Sequence, residues 1–229
     1  MNIRVWLPLA AMALIASPFV QAGGRPPPRC DAFTILTIHL ERNATDNDGE
    51  AVILAKGEDE GLRSLVVLAP NGRNLATFAG NNRGIGVREF ILESPEPADF
   101  NEVLRSFPAG VYWAYGTTVD GECVRGRMTL SHNLAPTTVI HSPAADEVIS
   151  RDGFVLSWSP VAEAVSYVVS VDNEDRGTKL VAESAPGAMS FTVPADWLEP
   201  GTSYIASVAV KTANGNVSSV EIPLTTAEE

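Results

Sequence analysis

Between residues 41 and 50 the chain runs Glu41-Arg42-Asn43-Ala44-Thr45-Asp46-Asn47-Asp48-Gly49-Glu50. Side-chain oxygens crowd this stretch, and a hard cation such as Ca²⁺ takes about six to eight of them. Asp46 and Asp48 alternate on one loop, a spacing that lets both carboxylates turn toward one ion. Glu41, Asn43 and Glu50 can add oxygens, so calcium held by these five residues is one reading of the loop. The other is a plain polar turn between strands, since Asn, Asp and Gly form turns without a metal. An EF-hand is excluded by register: with Gly49 at the sixth position, alanines (Ala44 and Ala55) occupy the first and twelfth.

A second acidic group, Glu93 and Glu96, brackets Ser94-Pro95. Two carboxylates held about 5–9 Å apart across a sugar can hydrolyse a glycosidic bond. A solvated strand end before a Pro turn explains the same residues. The histidines, His39, His132 and His141, are isolated in sequence. The chain has no G-x-S-x-G nucleophile turn, no H-E-x-x-H and no phosphate-binding glycine loop. The reading is therefore a non-enzymatic protein, with a small carbohydrate-processing hydrolase using Glu93 and Glu96 as the alternative.

The elements that must position these residues are short strands. Leu36, Ile38 and Leu40 alternate onto one face, and Val52–Ala55 and Leu65–Leu68 are apolar runs. Pro70-Asn71-Gly72 and Asp120-Gly121 mark turns. In Val111-Tyr112-Trp113-Ala114-Tyr115, Tyr112 and Ala114 face one way and Trp113 and Tyr115 the other. One side is core, and the other is either packed as well or open for stacking on sugar rings. Asp99 and Glu102 have capping-box spacing ahead of Val103-Leu104, and Pro108 ends that helix. Residues 31–135 thus read as a β-sandwich of seven or eight strands with one short helix. Asn133-Leu134-Ala135-Pro136 reads as a linker, and 136–229 as a second sandwich.

Residues 1–22 read as a secretory signal: Arg4, then an apolar run, with Val20-Gln21-Ala22 at the cleavage point. Residues 23–30 form a Pro-rich leader. No later stretch is apolar enough to span a bilayer, so no membrane span is expected after signal removal. The chain has 229 residues and a formal net charge of −12, 45% of its residues being hydrophobic and 19% charged. That is a globular composition, and its acidity argues against nucleic acid as a partner. Residues 136–229 hold 4 basic and 13 acidic residues, most of the imbalance. Export places Cys30 and Cys123 in an oxidising compartment, where they either bridge or stay as two buried thiols. Asn43-Ala44-Thr45 and Asn216-Val217-Ser218 fit the N-glycosylation pattern, which has meaning only in a eukaryotic host. A bacterial host is expected.

In the second segment Phe154, Leu156 and Trp158 alternate, as do Tyr167, Val169 and Val171. Phe191-Thr192-Val193-Pro194 follows, then Leu198-Glu199-Pro200-Gly201-Thr202-Ser203-Tyr204 and the Ala213-Asn214-Gly215-Asn216 turn. The whole segment resembles a fibronectin type III domain. The resemblance implies a seven-strand, immunoglobulin-like sandwich with Trp158, Tyr167 and Leu198 in its core and Tyr204 as its tyrosine corner. It implies a spacer or binding role, not catalysis. The first segment is only loosely similar to known sequences. Ala44-Thr45-Asp46-Asn47-Asp48 is similar to a calcium-binding segment of cadherin repeats, but Glu50 and Val52 depart from that pattern. Together with Phe90-Ile91-Leu92-Glu93-Ser94-Pro95-Glu96-Pro97, it also resembles exported bacterial proteins, a likeness that implies no activity.

These readings converge on an exported protein, periplasmic or secreted, that engages a protein or polysaccharide partner at the cell envelope or outside the cell. Ca²⁺ is the one candidate cofactor.

Overall fold

The structure is a computed structural model and describes residues 30–80, 86–173 and 175–228. The expected signal at 1–22 and all but the last residue of the 23–30 leader lie outside the described residues. The N-terminal half contains β1 (Ile35–Asn43), β2 (Asp48–Lys56), β3 (Leu62–Leu68), β4 (Asn74–Ala79) and β5 (Glu89–Glu93). A helix, α1 (Asn101–Ser106), leads into β6 (Gly110–Thr118) and β7 (Cys123–Leu130). The C-terminal half contains β8 (Ile140–Ser142), β9 (Glu147–Ile149), β10 (Gly153–Trp158) and β11 (Ala164–Asn173). It continues with β12 (Thr178–Ser184), β13 (Ser190–Pro194), β14 (Ser203–Thr212) and β15 (Val217–Thr226). The all-β fold class read from the sequence is the one observed.

Strand alternation decides what is buried. Ile38 and Leu40 point inward from β1, Tyr112 and Ala114 from β6, and Tyr167, Val169 and Val171 from β11. The described residues form two separate apolar cores. One gathers Leu40, Ile53, Leu65, Tyr112 and Leu130 with their neighbours. The other gathers Leu156, Trp158, Tyr167, Val208 and Leu224. Each fully buried Leu, Ile or Val in them contributes about 1.5–3 kcal/mol.

The two halves share one strand order. In the first, β1-β2-β5 faces β4-β3-β6-β7; in the second, β8-β10-β13 faces β12-β11-β14-β15. Counting seven strands in each half and leaving aside β9, which adds to β15, the order is the same position by position. The turns follow the glycines. Gly72 and Gly121 take positive φ in the β3–β4 and β6–β7 hairpins and donate back to Ala69 and Thr118.

The sheets do not stay separate. β15 pairs in parallel with β1, Glu41 opposite Val217, Arg42 opposite Ser218 and Asn43 opposite Ser219. The path β12-β11-β14-β15-β1-β2-β5 is therefore one continuous sheet across both halves. The 133–136 stretch is held rather than free: the Asn133 carbonyl accepts hydrogen bonds from Asn214 and Asn216, both at 2.8 Å.

One local expectation changes. Asp99 Oδ1 accepts from the Asn101 amide at 3.0 Å and from Asn101 Nδ2 at 2.8 Å. Its carboxylate is thereby occupied one position short of Glu102, and the capping box does not form. Cys30 is joined to Cys123 by a disulfide. Cys30 lies ahead of β1, next to Asp31, which bridges Val124 and runs alongside β7.

Candidate functional site

The outward face of the continuous sheet forms an open, polar cleft of about 540 Å³. Its walls come from both halves. β1 and β2 supply His39, Glu41, Asn43, Asp48 and Glu50, and Asp46 stands in the turn between them. From the other side come Lys179 on β12, Lys211 on β14 and Glu221 on β15. The floor is made of small side chains, Ser170, Ser207, Ala209 and Ser219 among them. Ser170 and Ser207 hydrogen bond at 2.8 Å and are nearly buried.

Register explains why these residues meet. Glu41 lies directly across from Glu50, and Asn43 across from Asp48. Their side chains share the solvent face because Leu40 and Ala51 take the core face. Gly49 makes this pairing possible: it has φ of 146°, and a Cβ there would stand 2.2 Å from the Glu41 carbonyl oxygen. The turn is closed by Arg42 to Asn47 Oδ1 at 2.9 Å, Asn43 Nδ2 to Asp46 Oδ2 at 3.2 Å and the Thr45 amide to Asn43 Oδ1 at 3.0 Å. Thr45 Oγ1 then accepts from the Glu221 amide at 2.9 Å, tying the turn to β15.

Burial, then the nearby Glu93, Glu96 and Glu41 carboxylates, push the Glu50 carboxyl up to about 7. Glu221 is also raised, first by burial and then by Asp46 and Asp48, against an opposing hydrogen bond from Asn43. Cations offset the cleft only in part. Lys179 pairs with Asp172 at 2.9 Å and Lys211 with Glu183 at 3.7 Å. His39 Nε2 meets Glu41 Oε1 at 2.8 Å.

All five residues read as calcium ligands, Glu41, Asn43, Asp46, Asp48 and Glu50, line this cleft. Among the described residues, however, no three His, Cys, Asp or Glu side chains converge as they would around a metal. Glu96 also lines the cleft, whereas Glu93 ends β5 on an exposed position outside it. The remaining histidines have local partners: His132 Nε2 with the Phe107 carbonyl and His141 Nε2 with Ser159 Oγ, both at 2.8 Å. Lys179, Lys211 and Glu221 went unnoticed in the sequence, since only the β1–β15 pairing brings them to the loop.

In the C-terminal core Trp158 and Tyr167 pack at 5.4 Å between ring centroids, and Leu198 and Tyr204 are buried with them. The Tyr204 hydroxyl accepts from the Glu199 amide at 2.9 Å. The N-terminal half contains a counterpart. Tyr112, on the equivalent strand, donates its hydroxyl to the Pro108 carbonyl at 2.9 Å. Phe107-Pro108-Ala109-Gly110-Val111-Tyr112 was the available signal, a proline and a glycine ahead of a strand tyrosine.

No protein-family model matches the chain, and no curated protein sequence does. Solved structures similar to it include the FN1–FN3 domains of chicken CNTN1, at 16% identity and a TM-score of 0.36 over 87% of this chain and 65% of that one. A two-domain fibronectin type III segment of chicken tenascin matches at 14% identity and TM-score 0.33, over 82% and 97%. A tetra-tandem repeat from the extending region of a large adhesion protein matches at 18% and 0.30, over 85% and 49%. The chain thus spans less than two thirds of the CNTN1 fragment and about half of the repeat array. The strand order and the Tyr204 hydroxyl bond define a β-sandwich.

Proposed function

We propose that this chain is an exported, non-enzymatic binding or structural protein. It is built of two sandwich modules, 31–135 and 136–229, and engages a protein or polysaccharide partner at the envelope or outside the cell. The observation that carries the reading is the continuous sheet through β15 and β1. It fixes side chains of both halves on one open, polar face, an arrangement suited to an extended partner rather than to an enclosed substrate. The Cys30–Cys123 bridge supports export. Among the described residues no helix is long and apolar enough to cross a membrane.

The test is sedimentation of the purified chain with cell-envelope and extracellular polysaccharide fractions. Saturable co-sedimentation is expected. Turnover of a glycan that Glu93→Gln or Glu96→Gln abolishes would overturn the reading in favour of a hydrolase.

A second reading adds calcium at Glu41, Asn43, Asp46, Asp48 and Glu50. It is favoured by Glu41 standing directly opposite Glu50, since like charges in register repel and a cation between them removes the repulsion. The side chains must rotate inward to converge. Asp46→Asn with Asp48→Asn is expected to abolish a calcium-dependent rise in Tm and leave Tm in EDTA unchanged. Equal losses with calcium and with EDTA count against the metal.

A further inference from the structure

The opposite sheet of the N-terminal half has a different character. Strands β3, β4, β6 and β7 carry Arg63, Arg125 and Arg127 and not one Asp or Glu, in a chain of net charge −12. Because Tyr112 and Ala114 fill the core, Trp113 and Tyr115 face solvent, 38% and 43% exposed. Their ring planes lie within 18° of parallel, with centroids 6.3 Å apart. Arg127 stands directly across from Trp113 on β7, and Arg125 across from Tyr115. On the other flank Leu68 and Val66 stand across from the same two rings.

The arginines are exposed and, among the described residues, lack ion-pair partners. By contrast Arg88, Arg105 and Arg176 each meet a carboxylate. The acidic residues nearest in sequence, Asp120 and Glu122, sit in the turn at one end of the sheet, and Asp31 runs along the outer edge of β7. The middle of the face is thus an aromatic strip with two unneutralised guanidinium groups beside it.

We infer that this face docks a linear acidic polysaccharide, with sugar rings lying on Trp113 and Tyr115 and anionic groups on Arg125 and Arg127. The inference rests on the binding role proposed above and names its partner and surface. Sugar C–H faces stack on aromatic rings. A planar guanidinium pairs with a carboxylate or sulfate in a fork that a neutral glycan cannot fill. Charge complementarity favours this occupant over a second copy of the chain, which is itself acidic.

The test is affinity electrophoresis of the purified chain through gels containing polygalacturonate, heparin, neutral dextran or oligothymidylate, with its mass followed by light scattering. Retardation by polygalacturonate, by heparin or by both is expected, and dextran should have no effect. Which of them retards the chain separates carboxylate from sulfate recognition. Trp113→Ala and the Arg125→Gln/Arg127→Gln pair should each weaken retardation at least about tenfold, and added salt should weaken the arginine contribution. These side chains lie outside the core, and Tyr115→Ala is a further variant should one of them misfold. No retardation by either acidic glycan overturns the inference, as does equal retardation by dextran or stronger retardation by oligothymidylate. A dimer dispersed by Trp113→Ala also overturns it, because the face is then covered by a second copy. Envelope sedimentation unchanged in the variants removes this face but leaves the binding role standing. A wild-type chain that sediments with no fraction removes both.

Discussion

Asn216 Oδ1 accepts a hydrogen bond from the Leu40 amide at 2.9 Å, joining residues 176 positions apart. Both residues are fully buried. The same side chain donates to the Ser131 carbonyl at 2.9 Å and to the Asn133 carbonyl at 2.8 Å. One amide therefore fastens the β14–β15 turn to β1 and to the segment linking the halves. It also takes Asn216 out of reach as a glycan acceptor in the folded chain, although Asn216-Val217-Ser218 fits the pattern. Asn216→Ala leaves the Leu40 N–H without this partner in the interior, at a cost of about 1–3 kcal/mol. Urea unfolding should show a lower midpoint. A midpoint within error of wild type would mean that water replaces the amide without loss.

Cys30 and Cys123 are separated by 93 residues. Closing a loop of that length restricts the unfolded chain by about 4–5 kcal/mol in the chain-entropy account. Cys30→Ser with Cys123→Ser, or reductant alone, should lower Tm by several degrees or more, and wild type and variant should coincide in reductant. An unchanged Tm in reductant would show that the segment around Asp31 is held by its β-bridge to Val124 alone.

The C-terminal half was legible because its cues are local: Trp158 in an alternating strand, and Tyr204 shortly after Leu198-x-Pro-Gly-Thr. Strands and turns of the N-terminal half were equally legible, for the same reason. Its kinship with the second half was not: Pro108, like Pro200, stands four residues ahead of its tyrosine, but Gly110 is two ahead of Tyr112 where Gly201 is three ahead of Tyr204. Nor was the cleft. Glu41 facing Glu50 follows from one hairpin, but Lys211 and Glu221 enter only through the pairing of β15 with β1, a contact with no local signature. For Trp113 and Tyr115 the alternation was plain, but which face lay inward was not; the structure buries Tyr112 and Ala114.

The Glu50 carboxyl, pushed up from 4.5 to about 7 by burial and neighbouring carboxylates, makes stability depend on pH. The folded chain holds this proton more tightly than the unfolded one. Its contribution is therefore full below about 4.5 and is lost as pH rises toward 7. Glu50→Gln, measured in EDTA, should match wild type near pH 4.5 and melt higher near pH 8. A difference of the same size at both pH values would assign the effect to packing rather than charge. Glu183 works in the opposite direction, held below its usual range by the Ser166 hydroxyl and then Lys211. Its contribution is lost as pH falls, so the variant comparison, not the wild-type profile alone, isolates Glu50.

The paired tyrosines provide a test of whether the halves are built alike in energy as well as in strand order. Each hydroxyl makes one hydrogen bond to the backbone just ahead of its strand, Tyr112 as donor to Pro108 and Tyr204 as acceptor from Glu199. Burial also raises the Tyr112 hydroxyl to about 12, so it remains a donor throughout the working pH range. Tyr→Phe keeps the ring and removes only that bond, about 1 kcal/mol in each case. Tyr204→Phe strands a backbone N–H near the protein interior, whereas Tyr112→Phe strands a carbonyl, which tolerates the loss better. Tyr204→Phe should therefore be the more destabilising of the two in urea. The reverse order would show that Pro108 anchors its turn more strongly than Glu199 anchors its own.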